Sequence, residues 1–268
     1  MTEPVPTRLL PVRDLSPTAP LRWLAQGARD FARTPWPSLL HGVIAALGGL
    51  LVLGAARERF YLVSGAFTGF VLVAPVLVTG LYELSRRLAA GEQPALRHAV
   101  GAWCRAGRPL FGFGLLLAVV GTFWVVVSAV LIALFVQAPI TGFDDFLRYV
   151  VLSRDSNLFY VWIALGGFVA ALVFAASVVS VPLLLDRDVD LLVAVATSLT
   201  AVATNPVLMA AWATCIMILT ALGIGTLLAG LVVVVPLLGH ASWHAYVDLV
   251  DASEAPPRRI RGAAGVDR

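Results

Sequence analysis

The strongest constraint on this chain is an uncharged stretch near its C-terminus. No Asp, Glu, Lys or Arg stands between Pro206 and His240, and one helix over this stretch would be about 50 Å long. That length exceeds the roughly 30 Å hydrocarbon core of a bilayer. The two glycines of the segment ALGIGT permit a tight reversal near its middle, because glycine adopts positive φ without strain. We therefore expect two helices, Val207–Leu222 and Ile224–Val247, instead of one.

The composition extends this constraint to the whole chain. Of the 268 residues, 59% are hydrophobic and 13% are charged, whereas a soluble globular domain averages roughly 45–50% and 25%. Folding in water would leave large apolar patches exposed. The chain is expected to be an all-α integral membrane protein that forms one domain over residues 21–250. Residues 1–20 are predicted to be a disordered tail without a signal peptide, and residues 251–268 a basic tail.

Apolar runs of membrane-spanning length recur along this domain. Besides the two C-terminal helices, four spans are predicted: Leu39–Ala56, Phe60–Tyr82, Leu110–Val136 and Leu158–Leu185. The total is six, with five as the alternative if the last region forms one helix. All 19 basic residues are Arg, and the six-span arrangement places 15 of them on the side of both termini and four on the other. The positive-inside rule then puts both termini in the cytoplasm.

Prolines suggest a threefold internal repeat. Each unit would comprise an interfacial helix, a proline, an outgoing helix and a returning helix with an internal proline. The prolines before the outgoing helices are Pro35, Pro109 and Pro206, and those inside the returning helices are Pro75, Pro182 and Pro236. A proline inside a membrane helix frees a carbonyl and kinks the helix. Chance similarity between Val-, Leu- and Pro-rich segments remains the alternative.

Two of the interfacial segments fit amphipathic helices that lie on the membrane. LRWLAQGARDFAR places Leu21, Leu24, Ala28 and Phe31 on one face, and ALRHAVGAWCRAGR mixes apolar residues with three Arg. Such helices hold Arg near lipid phosphates, so membrane lipids are expected partners. Cys104 should lie beside a span and Cys215 within one, which argues against a disulfide.

Polar residues keep a register with the internal prolines. The residues four positions after the prolines are Thr79, Asp186 and His240, and those eight positions after are Glu83, Asp190 and His244. His41 lies near the start of the first span. Residues four apart share a helix face, so a cytoplasm-facing polar cluster is one hypothesis. It suits a metal ion or haem or a proton relay. An ordinary polar helix exit in an aromatic belt is the other hypothesis.

The sequence assigns no catalytic residue, cofactor or metal ion. The segment HASWH lacks the glutamate of the zinc-peptidase motif, so His240 and His244 are only candidates for a metal. Ser85 has no His or acid at a telling spacing, and Gly-rich segments lack the context of a nucleotide loop. Glu83 with Arg86 and Arg87 is expected to form an ion pair at a helix end.

A resemblance to a known family adds to these predictions. The segments GFVLVAPVLVTGLYELSRRLAAGE, VPLLLDRDVDLLVAVATSLTAVATNPVLMAAWA and VVVPLLGHASWHAYVDLV are similar to the bacterial integral-membrane family called domain of unknown function 2189. The resemblance covers roughly residues 21–250 and implies a polytopic inner-membrane protein of bacteria, without a catalytic residue list.

Three functions are compatible with this reading of the sequence. The first is a non-enzymatic accessory or assembly factor for a larger membrane complex, without a nucleic-acid partner. The second is a small transporter or channel that uses the polar cluster, and the third is a metal- or haem-handling protein.

Overall fold

The structure is a computed structural model that describes residues 9–58, 77–105, 107–138, 140, 142–153 and 157–258. These residues form helices, together with two isolated antiparallel bridges, Val12 with Val250 and Arg187 with Pro257. The helices are α1 (Ala19–Arg33), α2 (Pro35–Glu58), α3 (residues 77–89), α4 (Leu96–Arg105), α5 (Gly107–Phe135), α6 (Phe143–Phe146), α7 (Leu158–Ser177), α8 (Ser180–Asp186), α9 (Leu191–Thr204), α10 (Pro206–Gly225) and α11 (Leu231–Leu249). A π-helical turn, Leu147–Val151, follows α6.

Within the described ranges, four helical segments are long and apolar enough to cross a membrane. They are Pro35–Gly54, Gly107–Phe135, Leu158–Asp186 and Pro206–Gly225, and they overlap four of the six predicted spans. Most of the predicted span Phe60–Tyr82, including Pro75, lies outside the described residues. The sixth predicted span corresponds to α11, whose C-terminal half carries two His and an Asp. These polar residues lower its hydropathy, and α11 is not among the four.

The uncharged C-terminal stretch divides into two helices, as the sequence predicts. Helix α10 ends at Gly225 and α11 begins at Leu231. The reversal lies a few residues beyond the predicted glycine pair. Leu227 and Leu228 adopt positive φ angles of 54° and 69°, a conformation that is unusual for residues with a side chain.

Pro35, Pro206 and Pro182 have the local roles that the sequence suggests, whereas Pro109 is the third residue of α5 and not its first. Pro35 and Pro206 are the first residues of α2 and α10, where a missing N–H costs little. Pro182 lies just after a break between α7 and α8. At that break, the N–H of Val179 donates to Ser198 Oγ in α9 at 3.1 Å, so the interrupted backbone regains a partner.

Helix α11 occupies the centre of the helix packing, with α1 and α2 as its main neighbours. Two glycines permit this close approach. A Cβ at Gly27 of α1 would lie 2.7 Å from the backbone nitrogen of Ala241, and a Cβ at Gly42 of α2 would overlap the carbonyl of Val232. Pro236 cannot bond to that carbonyl, because it lacks an N–H. Gly42 therefore packs α2 against the part of α11 that the proline perturbs.

Packing is concentrated at one end of the helices, which we call the junction end. It contains the α1–α2 and α9–α10 junctions, the start of α5, α8 and the C-terminal half of α11. The largest hydrophobic cluster lies there and includes Trp23, Phe113, Trp212 and Tyr246. The opposite end, where α2, α5 and α10 finish, is called the distal end. The buried residues of α5 all precede residue 118, near its start.

Residues 9–18 and 251–258, assigned by the sequence to the two tails, contact the junction end. The N–H of Arg13 donates to the carbonyl of Leu249, and the N–H of Asp251 donates to the carbonyl of Pro11. Leu10 and Ala255 are buried. Residues 1–8 and 259–268 lie outside the described residues. The described parts of both segments thus extend the packing around α11.

Candidate functional site: a buried polar chain

A continuous chain of hydrogen-bonded side chains joins four helices at the junction end. Its members come from α1, from the α1–α2 junction, from α2, from α3 and from α11. We call it the polar chain: His244, Asp30, Ser85, His240, Ser38 and Thr34. All but His244 are buried, and the side chain of His244 is 19% exposed.

His240 is the centre of the polar chain. Its Nδ1 lies 2.7 Å from Ser85 Oγ, and its Nε2 lies 2.9 Å from Ser38 Oγ. Ser85 Oγ donates to Asp30 Oδ2 at 2.7 Å, and the same carboxylate oxygen lies 2.8 Å from His244 Nε2. The imidazole of His240 is therefore held on both sides by hydroxyl groups, and one of them leads to a carboxylate.

The hydrogen-bond partners assign the protons along the chain. The single proton of the Ser85 hydroxyl goes to Asp30, because a carboxylate only accepts. Ser85 Oγ must then accept from Nδ1–H of His240. In the neutral imidazole, Nε2 accepts from Ser38, and Thr34 can then donate either to Ser38 or to the backbone carbonyl of Asp30, but not to both. In the imidazolium, Nε2–H donates to Ser38, and Ser38 donates to Thr34 Oγ1 at 3.0 Å. The imidazolium is compatible with every hydrogen bond of the chain, whereas the neutral imidazole leaves one of the two bonds of Thr34 unmade.

Asp30 is the carboxylate of the chain and is ionised. Burial alone would raise its pKa, but hydrogen bonds from His244 and Ser85, with the nearby imidazoles, hold the pKa below its usual value. The backbone carbonyl of Asp30 also accepts from Thr34 Oγ1 at 2.9 Å. Asp30 therefore contacts both ends of the chain, one through its side chain and one through its backbone.

A cavity of about 200 Å³ opens beside Asp30 and His244. One wall is a single face of α1, and the opposite wall is the end of α3. The cavity lining includes Gln26, Arg29, Asp30, Arg33, Leu88 and His244. The polar chain thus begins at a solvent-accessible cavity and continues into the packed interior.

The structure places the other predicted cluster residues in separate interactions. Glu83 pairs with Arg86 at 2.8 Å and with Arg87 at 2.7 Å, which confirms the predicted ion pair. Asp186 accepts from Tyr246 Oη at 2.9 Å and pairs with the neighbouring arginine. Asp190 caps α9 by accepting from a backbone N–H.

Two further predicted residues lie in the helices around His240. His41 is buried one turn beyond Ser38, and its Nδ1 donates to the carbonyl of Pro37 at 2.6 Å. Thr79 is buried in α3. The structure therefore joins His240 and His244 to Asp30, and not to the carboxylates that share their register.

The arrangement has consequences for catalysis and for metal binding. In a hydrolytic triad the serine donates to a histidine, which in turn donates to the acid. Here Ser85 lies between His240 and Asp30, is fully buried and donates its hydrogen bond to the carboxylate instead of to the histidine.

Both ring nitrogens of His240 are hydrogen-bonded to hydroxyl groups, so neither is available to a metal ion or haem iron. Across the described part of the chain, no group of three or more His, Cys, Asp or Glu is placed to hold a metal ion.

Four members of the polar chain are not among the residues that the sequence predicts, namely Asp30, Thr34, Ser38 and Ser85. Asp30, Thr34 and Ser38 stand four positions apart, on either side of the start of α2 at Pro35. This spacing on one helix face is the sequence pattern that could have indicated them. No local pattern indicates Ser85, because its hydrogen-bond partners are 55 and 155 residues away along the chain. Only the packing of α1, α3 and α11 brings them together.

Comparison with known proteins gives one match. Residues 62–186 match the model of the family described as "Predicted integral membrane protein (DUF2189)", which confirms the resemblance over that part of the chain. Neither a curated protein nor a solved structure matches the chain. With its apolar helices, the chain is an integral membrane protein.

Proposed function

We propose, with the integral-membrane family match over residues 62–186 as the premise, that the protein is a non-enzymatic accessory or assembly factor for a larger complex of the bacterial inner membrane. The observation that carries the proposal is the exposure of α5. Only 6% of its apolar window is buried, against 28%, 39% and 22% for the other three candidate spans. Its mean hydropathy of 2.7 is also the highest of the four.

The exposed surface of α5 suits a contact with another membrane helix. Phe123, Val126 and Val130 are more than half exposed. The small residues Ala118 and Thr122 stand four apart beyond the buried start of the helix, a spacing that lets membrane helices approach closely. A partner helix would cover an apolar surface that the described residues of this chain leave open.

Site-specific photo-crosslinking in cells tests the accessory role. Benzoylphenylalanine at position 123 or 126 should give a covalent adduct of discrete mass with another membrane protein. The same reagent at position 113 is the matched control, because Phe113 lies on the same helix and is fully buried. Adducts with lipid alone, or with a second copy alone, would contradict an accessory role.

The proposal includes six spans with both termini in the cytoplasm, and a threefold repeat. In support of the repeat, the residues before Pro35 and Pro206 share one backbone conformation. Thr34 has φ −130° and ψ 53°, and Asn205 has φ −121° and ψ 55°.

Cysteine labelling tests the topology in a variant with Ser at positions 104 and 215. A cysteine at position 254, which is exposed in the structure, should react only after the membrane is permeabilised, and labelling of intact cells would contradict six spans.

A second function, proton-linked transport, is favoured by the polar chain. Its hydroxyl groups and imidazole give a proton two alternative sets of hydrogen bonds, beginning at the cavity beside Asp30 and His244. Protein reconstituted in liposomes should then dissipate an imposed pH gradient, and His240→Ala should abolish that flux. Ser242→Ala is the matched control, because Ser242 lies on the same helix but outside the polar chain, with the carbonyl of Leu238 and the Tyr82 side chain as its partners. Equal proton flux in the wild type and His240→Ala would remove this function.

A further inference from the structure

The cavity beside Asp30 differs from the polar chain in that its rim is basic. Arg29 and Arg33 stand four positions apart on one face of α1, and both are exposed. With Asp30 ionised, the lining carries a net positive charge even when His244 is neutral. A surplus of positive charge at a concave site favours an anion.

A second observation concerns Gln26, one turn before Arg29 on the same face. Its Oε1 is buried and has no hydrogen-bond partner among the described residues. An unpaired buried acceptor costs about 1–3 kcal/mol. Because Gln26 lines the cavity, its side chain can turn its unpaired oxygen toward a ligand there that carries a hydroxyl or another donor.

The shape and position of the cavity limit the class of ligand. Its volume of about 200 Å³ is below the roughly 300–1,000 Å³ of sites for drug-sized molecules. Leu88 gives the wall opposite α1 an apolar part. Helix α1 also exposes apolar residues such as Leu21, which is 69% exposed, as expected for a helix lying on a membrane.

We propose that this cavity binds a phosphate group, with Arg29 and Arg33 as its cationic contacts and Gln26 as the acceptor for a neighbouring hydroxyl. Arg is suited to this role, since its planar guanidinium bonds phosphate oxygens in a bidentate manner. The ligand is the phosphate of an anionic lipid headgroup or a free phosphate. His244 forms the floor, so an occupied cavity would close the accessible end of the polar chain.

The test uses the full chain purified in detergent and follows its thermal unfolding midpoint. Short-chain phosphatidylglycerol should raise the midpoint saturably, because a ligand that binds only the folded state stabilises it. Phosphatidylcholine of the same chain length should have no saturable effect. A saturable shift with inorganic phosphate alone assigns the site to the free anion, and a shift with phosphatidylglycerol alone assigns it to the lipid.

Substitutions link the shift to this cavity. Arg29→Gln/Arg33→Gln should weaken half-saturation by at least about tenfold, as expected from the loss of two charge-assisted hydrogen bonds. Arg97→Gln/Arg108→Gln is the matched control, because these arginines are also exposed, on α4 and α5. Arg29→Lys/Arg33→Lys should keep part of the affinity, and Gln26→Leu should weaken phosphatidylglycerol binding by a smaller factor. Equal shifts with the two lipids, or wild-type half-saturation in Arg29→Gln/Arg33→Gln, would overturn the proposal.

Discussion

The junction end and the distal end of this protein are held together in different ways. At the junction end, α11 is packed against glycines, aromatic rings and a hydrogen-bonded polar chain. At the distal end, α5 exposes Phe123, Val130 and Leu134 along its outer half. Burial in lipid provides no hydrophobic drive between helices, because the lipid tails are as apolar as the side chains. The specific contacts between the described helices are therefore concentrated at the junction end, where aromatic rings and hydrogen-bonded polar groups meet.

The largest expected difference separates two phenylalanines on one helix. Phe113 is fully buried at the junction end, whereas Phe123 is 63% exposed toward the distal end. Phe113→Ala should lower the free energy of unfolding by about 3–5 kcal/mol, through lost contacts and a cavity. Phe123→Ala should change it by less than about 0.5 kcal/mol. Thermal or denaturant unfolding in detergent measures both, and equal effects would mean that the two ends are packed alike.

The next largest expected loss of stability comes from substituting His240, the centre of the polar chain. His240→Ala removes the partner of both Ser38 and Ser85 and leaves a void, and we expect a loss of about 2–4 kcal/mol. Ser242→Ala, on the same helix, should cost only about 1 kcal/mol, because Ser242 lies outside the polar chain and bonds to the carbonyl of Leu238 and to the Tyr82 side chain. The His240→Ala/Ser85→Ala pair should be less destabilised than the sum of the single variants. Strict additivity would show that the two side chains do not interact.

The sequence predicted the apolar helices better than it predicted the polar chain. Helix limits follow from local signals, such as Pro35 and Pro206 at helix starts and the uncharged run that divides into α10 and α11. The polar chain depends on contacts between residues far apart in the chain, such as Ser85 with His240. His240 and Asp186 each stand four positions after a proline, and this shared position predicts that they lie together. In the structure His240 bonds instead to Ser85 and Ser38.

The glycine contacts of α2 give a smaller and more local test of the comparison. Gly42→Leu should lower the free energy of unfolding by about 1–3 kcal/mol, because its side chain would overlap the carbonyl of Val232 and separate α2 from α11. Gly54→Leu is the control at the distal end of the same helix, where no heavy atom lies within 4 Å of the added Cβ. Its unfolding midpoint should match or exceed that of the wild type, since leucine favours a helix over glycine. Destabilisation by Gly54→Leu equal to that by Gly42→Leu would contradict the difference between the two ends.

The smallest expected effect is a pH dependence confined to the junction end. The pKa of Asp30 is lowered in the folded protein, because the hydrogen bonds from His244 and Ser85 outweigh the effect of burial. A lowered pKa means that the ionised carboxylate stabilises the fold above its unfolded pKa, near 3.8, and that this contribution is lost as the pH falls through the folded value. Unfolding midpoints of the wild type should therefore fall more steeply with acidification below about pH 4 than those of Asp30→Asn. Asp144→Asn, in the α6 segment outside the polar chain, should retain the wild-type slope. Because Asp30 is the only carboxylate in the polar chain, an unchanged slope in Asp30→Asn would show that its hydrogen bonds do not favour the ionised form.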